Sequence, residues 1–199
     1  MHPTRPRLTL PTRAARAAAL ALVLAAWLPA CRSRPDDPAL ALLVRTLRRG
    51  DRLVLLRTLD PEGARIAAVV GSTAGKPELR LYEDRGDREY ALAHTARQGD
   101  VFRNLALDDV DMDGQDEIVV TWEGGHLEMV EVIARGQGGT YRTIFQNAGR
   151  QVEKRYGPAG LVEFWITSRT YEEGPGQTAA YETTVYRWER DRYVEAPAR

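Results

Sequence analysis

The sequence predicts an all-β protein in which three four-stranded antiparallel, blade-like units follow a short N-terminal helix. Three observations carry this. Beyond residue 50, short segments rich in Val, Ile, Tyr, Trp and Thr are separated by Gly, Pro, Asp and Asn at intervals of about 8 to 15 residues, the spacing of antiparallel meanders. The segments recur in the same order with a period of about 48 residues. Only one stretch, just before residue 50, has the composition and flanking signals of a helix. A chain of 199 residues is long enough for one domain with a real core and hardly for two.

Taken in order, residues 1–30 hold Arg5, Arg7, Arg13 and Arg16, no acid, and then the uncharged run 17-AAALALVLAAWL-28. About twelve apolar residues match a signal-peptide core and fall short of the roughly twenty that span a bilayer, so this segment is expected to be an export signal. Four of the 28 basic side chains lie in that leader, which leaves 24 against 28 acidic ones. This small negative excess points to no nucleic-acid partner. Residues 31–37 read as a polar, proline-bearing tether. A helix is expected over 38–50: Asp37 suits the N-cap, Pro38 the first turn, 39-ALALLVRTLRR-49 the body, and Gly50 the end.

Residues 51–199 form the β-domain. Its first unit comprises 52-RLVLLRT-58, 66-IAAVVG-71, 78-ELRLYE-83 and 89-EYALAH-94. The second comprises 101-VFRNLAL-107, 117-EIVVTW-122, 127-LEMVEV-132 and 140-TYRTIF-145, and the third 150-RQVEKRY-156, 163-EFWITS-168, 181-YETTVYRW-188 and 192-RYVE-195. The third matches least well and carries the Gly-rich insertion 172-EEGPGQTA-179. Four-stranded units of this length look like propeller blades, but closed propellers need at least about four of them. The expectation is an incomplete β-propeller, an open sandwich of sheets, or a ring completed by oligomerisation.

The apolar run ends at 28-LPAC-31, which contains the only cysteine of the chain. This stretch resembles the lipobox of bacterial lipoproteins, although Pro29 stands where a small or β-branched residue is usual. The resemblance implies cleavage after Ala30 and lipidation of Cys31, with acyl chains enough for stable anchoring. An unpaired cysteine in an exported chain has no disulfide to form, which agrees with this use. Arg32, in place of Asp, implies the outer membrane of a double-membraned bacterium, facing the periplasm or the exterior.

The stretch 108-DDVDMDGQDEIVV-120 places acids at alternate positions, Asp109, Asp111 and Asp113, followed by Gly114 and then Glu117. Calcium takes six to eight hard oxygens, and tight loops supply them from such alternating carboxylates, a backbone carbonyl and a further acid. An EF-hand requires an acid at loop position 12, here Val120, and flanking helices, whereas 117-EIVV-120 is β-prone. The segment instead resembles the FG-GAP or VCBS-type repeat, the family of the calcium loops in integrin α-subunit propellers. It departs from the DxDxDGxxD pattern at Met112, where glycine is common, and at Glu117, where Asp is usual. The resemblance implies one Ca²⁺ held by the side chains of Asp109, Asp111, Asp113 and Glu117 and the carbonyl of Gln115. Affinity is expected in the roughly 10⁻⁵ to 10⁻³ M range of extracellular modules. Asp108 and Asp116 are off the alternation and are expected to face solvent. The corresponding loops of the other units, 59-LDPEGARIAAV-69 and 155-RYGPAGLVEFW-165, lack the alternation.

Catalytic signatures are sparse. His2 lies in the leader, His94 ends a strand and His126 sits in a hairpin, with no second histidine at zinc-ligand spacing, and neither GxSxG nor SxxK occurs. The glycines of 136-GQGG-139 separate two strands and read as a hairpin turn. Tyr141, Trp165, Tyr171, Tyr181, Tyr186, Trp188 and Tyr193 either pack the later units or form an exposed platform for glycan or protein. The expectation is a lipid-anchored cell-envelope protein, a non-catalytic binding or structural module with one structural calcium ion. Its partners would be the membrane, through the lipid, and an envelope protein or glycan. The alternatives are a hydrolase or carbohydrate-active accessory domain with a site near His126, and a subunit of an envelope complex.

Overall fold

A computed structural model of the protein describes residues 37–59, 63–86, 89–157, 160–171 and 179–196. The leader and the tether up to residue 36, Cys31 included, and residues 172–178 of the Gly-rich insertion lie outside the described residues. All twelve predicted strands form, as three separate four-stranded antiparallel sheets. Sheet 1 contains β1 (Arg52–Thr58), β2 (Arg65–Thr73), β3 (Lys76–Asp84) and β4 (Tyr90–Ala96). Sheet 2 contains β5 (Val101–Asp108), β6 (Glu117–Gly124), β7 (Leu127–Arg135) and β8 (Tyr141–Gly149). Sheet 3 contains β9 (Gln151–Tyr156), β10 (Val162–Tyr171), β11 (Ala179–Glu189) and β12 (Arg192–Ala196). Strands follow chain order in every sheet.

The sheets stack through their faces, and strand alternation assigns each residue to a layer. In sheet 2, Ile118, Val120, Trp122 and Ile133 meet Ile66, Ala68, Val70, Leu79 and Leu81 of sheet 1. The residues between them, Val119, Val130 and Val132, join Phe145 against Val162, Phe164 and Ile166 of sheet 3. In this second layer Phe145 stacks on Phe164 at 5.2 Å between ring centroids, and Tyr193 closes on Phe145 at 4.6 Å. Each large side chain fully buried here contributes roughly 1.5–3 kcal/mol.

Sheets 1 and 2 share two irregularities that sheet 3 lacks. The first strand of each carries an extra residue, Val54 in β1 and Arg103 in β5, and so does the last, Ala93 in β4 and Ile144 in β8. Such bulges bend the strand and increase its twist. The β9–β10 and β11–β12 pairings run without a shift.

Helix α1 (Pro38–Thr46) covers the far face of sheet 1 by packing Ala39 and Leu43 against Ala67 and Tyr90. It stops short of the expected 50, because Thr46 donates its hydroxyl to the Leu43 carbonyl (2.7 Å) and Asp51 takes over the next turn. The Asp51 carboxylate accepts the Arg48 amide at 2.7 Å while the Asp51 amide donates to the Arg48 carbonyl at 3.0 Å. The same carboxylate pairs with Arg80 at 2.6 Å, with side-chain exposures of only 3% and 9%. A β-carbon at Gly71 would collide with this pair, which explains a glycine inside β2.

Asp51→Ala removes the nearer of two buried carboxylates on Arg80 and leaves Glu78 at 3.4 Å, so it should lower unfolding free energy in urea by about 1.5–3 kcal/mol, the range for a hydrogen bond to a charged group. Lys76→Ala, which removes the exposed contact to Asp100, should cost less than about 1 kcal/mol in the same measurement.

Candidate metal centre

The acidic loop joins β5 to β6 and is wound around its own carboxylates. Asp109 accepts the amides of Asp113 and Gly114, each at 3.0 Å. Asp111 accepts the Asp113 amide at 3.1 Å, and Asp113 accepts the Gln115 amide at 2.8 Å, an Asx-type turn. Two residues take left-handed backbone conformations, Gly114 (φ 88°) and Met112 (φ 63°). At the first a glycine is at ease. At the second an L side chain costs about 1–2 kcal/mol, which is the physical content of the departure from glycine at that position.

One oxygen from each of Asp109, Asp111 and Glu117 lies within 4.8 Å of the others. Asp113 is outside this trio, because both of its oxygens turn to Gln115, whose amide nitrogen and side-chain nitrogen (3.4 Å) approach them. Glu117 is only 4% exposed and accepts the Val110 amide at 3.0 Å. Burial pushes its carboxyl up to about 8; the charges of Asp111, Asp113 and Asp109 add to the shift and the Val110 amide opposes it. Asp111 is raised as well, by burial first and then by the Asp113 charge. Ionised carboxylates at this spacing repel by about 3–4 kcal/mol per pair at an effective dielectric near 20. A proton relieves this, and so does a hard divalent cation, whose preferred donors are carboxylate oxygens. The three oxygens could hold such a cation.

The loop is fastened to all three sheets. Val110, fully buried, plugs the layer between sheets 2 and 3. The Asp116 amide donates to the Leu59 carbonyl of the β1–β2 connection at 3.1 Å. Asp108, expected to face solvent, has a side chain only 14% exposed and is held by Lys154 and by the Tyr156 hydroxyl (2.9 Å) on β9. The expectation fails because Asp108 closes β5 directly beside the edge of sheet 3, where a cation and a phenol meet it. Asp116 is half-buried, and burial followed by the Asp109 and Asp108 charges raises its carboxyl.

The remaining candidates are dispersed. Tyr186 and Tyr193 belong to the core between sheets 2 and 3, Trp188 leans on Tyr193 at 5.3 Å, and Arg155 covers the Trp165 ring at 4.1 Å. Tyr181 is exposed. Tyr141 lies between sheets 1 and 2, where its hydroxyl donates to Glu83 at 2.8 Å, a carboxylate that Arg135 also holds at 3.0 and 3.1 Å. Burial raises Glu83, but the bonds from Arg135 and Tyr141 outweigh it and keep the carboxyl below its ordinary range. No sequence expectation covers this inter-sheet polar layer. Its one sequence signal is Glu131 at the same parity as Ile133 and Met129, an acid placed on an apolar face. Glu131 accepts the Thr143 hydroxyl at 2.8 Å, while its other oxygen and Nε2 of His94 are buried without a hydrogen-bond partner among the described residues. His94 is lowered by burial, with Glu131 partly opposing. His126 is exposed at the turn between β6 and β7. Comparison with protein-family models, with curated proteins and with solved structures finds no match.

Glu117 supplies a pH test. Its folded value lies above the ordinary 4.5, so the stability it contributes is full below about 4.5 and is lost as pH rises towards about 8. In a chelating buffer the melting temperature should therefore fall across that window, and Glu117→Gln should flatten the fall.

Proposed function

We propose that the protein is a lipid-anchored, non-catalytic module of the cell envelope, in which one Ca²⁺ bound by the acidic loop braces a binding or structural scaffold. The observation that carries this reading is the convergence of the Asp109, Asp111 and Glu117 carboxylates at the point where loop contacts reach all three sheets. A cation there would replace the proton that Glu117 otherwise retains and would hold the connections of sheets 1, 2 and 3 together. The resemblance of the loop to FG-GAP and VCBS-type repeats supports calcium. Asp113 and the carbonyl of Gln115 would complete the ligand set that the resemblance implies. The anchor reading rests on the leader and on 28-LPAC-31, and the partner would be an envelope protein or a glycan.

Saturating calcium, at about 100 times Kd, should stabilise the full-length protein in detergent by about 2.7 kcal/mol, a rise of roughly 5–10 °C in melting temperature. Asp111→Ala should abolish that rise, and a wild-type protein indifferent to calcium would remove the metal from this account.

Growth with a labelled fatty acid should label the wild-type protein and leave Cys31→Ser unlabelled. Equal labelling of the two proteins would overturn the anchor.

A further inference from the structure

A groove of about 600 Å³ opens where the β6–β7 turn of sheet 2 meets the start of β9 in sheet 3. Its walls combine Arg103, Glu123, His126, Glu128, Arg150 and Val152. Arg103 is the extra residue of the β5 bulge, the kind of position at which a strand re-aims a side chain. The two acids are already engaged within the walls. Glu123 pairs with Arg103, and Glu128 accepts the Val152 amide at 2.8 Å, which ties the second sheet to the third. The Arg150 backbone N–H donates a hydrogen bond to the Thr167 carbonyl (2.7 Å), and its guanidinium makes one long contact, 3.4 Å to the His126 carbonyl. Among the described residues most of its five N–H donors are thus left for a ligand, beside the exposed His126 imidazole.

We propose that this groove binds a small polar ligand through an oxyanion, a carboxylate or a phosphoryl group, gripped by Arg150 and His126 with Arg103 held alongside by Glu123. A planar guanidinium offers an oxyanion two parallel hydrogen bonds, and charge-assisted bonds of this type are the strong ones. Arg103 and Arg150 together offset the charges of Glu123 and Glu128, so the walls carry no net negative charge against an anion. This inference rests on the reading of the protein as a binding module and gives that module a ligand chemistry.

Calorimetric titration of the full-length protein in detergent, at constant ionic strength, with D-glucuronate, inorganic phosphate and glucose tests it. Saturable binding of at least one anion is expected, about tenfold weaker in Arg150→Gln and in His126→Gln and unchanged in Arg45→Gln, an exposed arginine on α1. Tighter glucuronate identifies the ligand group as a carboxylate, tighter phosphate as a phosphoryl group. The proposal is overturned if neither anion saturates, if glucose binds as tightly as glucuronate, or if Arg150→Gln or His126→Gln binds like the wild type. The calcium-induced melting shift of Arg150→Gln should equal that of the wild type, so failure of the groove and failure of the metal site are read separately.

Discussion

The rest of the structure depends on the burial of sheet 2 on both faces. An antiparallel sheet with one wet face alternates apolar and polar residues, and a sheet between two others cannot. In β6 and β7 successive residues serve different cores: Ile118, Val120 and Trp122 pack towards sheet 1, Val119, Val130 and Val132 towards sheet 3. A slip of one residue would exchange the two sets and place Trp122 in a layer shaped for valines, so register is strongly specified. Sheets 1 and 3 take their positions from this central slab, and α1 covers the side of sheet 1 that sheet 2 leaves open.

Several of the polar groups that enter the stack meet a partner there. Glu83, Arg135 and Tyr141 satisfy one another across the first interface, and Asp51 with Arg80 ties the end of α1 to sheet 1. Such pairs gain little over apolar packing, but removing one member leaves an uncompensated buried charge. They therefore act mainly as constraints on which strands may face each other. Nε2 of His94, one Glu131 oxygen and Nε1 of Trp122 are buried in that interface without a hydrogen-bond partner among the described residues.

The acidic loop follows a related logic at the end of the slab. Its Asp side chains first organise their own backbone, accepting four amide bonds among them, and only then converge on a common point with Glu117. Glu117 can be buried because β6 begins there and Val110 seals the layer beneath it. The repulsion so created must be met by a proton or by a cation, which is what makes the loop responsive to its surroundings. Loop and groove lie at different places along the boundary of sheets 2 and 3, and both depend on how β9 docks beside sheet 2.

The sequence by itself determined the strand count, the grouping into three units, the single helix and the alternating carboxylates, because each is a local pattern of period two or a short run of turn residues. Even the odd feature of the loop was visible, since Met112 occupies a position that its left-handed backbone makes natural for glycine. Only the tertiary structure decided which acids converge and which are diverted. Asp113 is turned aside by Gln115, and Asp108 is claimed by Lys154, 46 residues away. It also decided that Glu83 would meet Arg135 across 52 residues and that Arg103, His126 and Arg150 would share one groove. These pairings have no period to read: they arise from the stacking of one sheet on the next, which brings together residues whose separation along the chain carries no local signal.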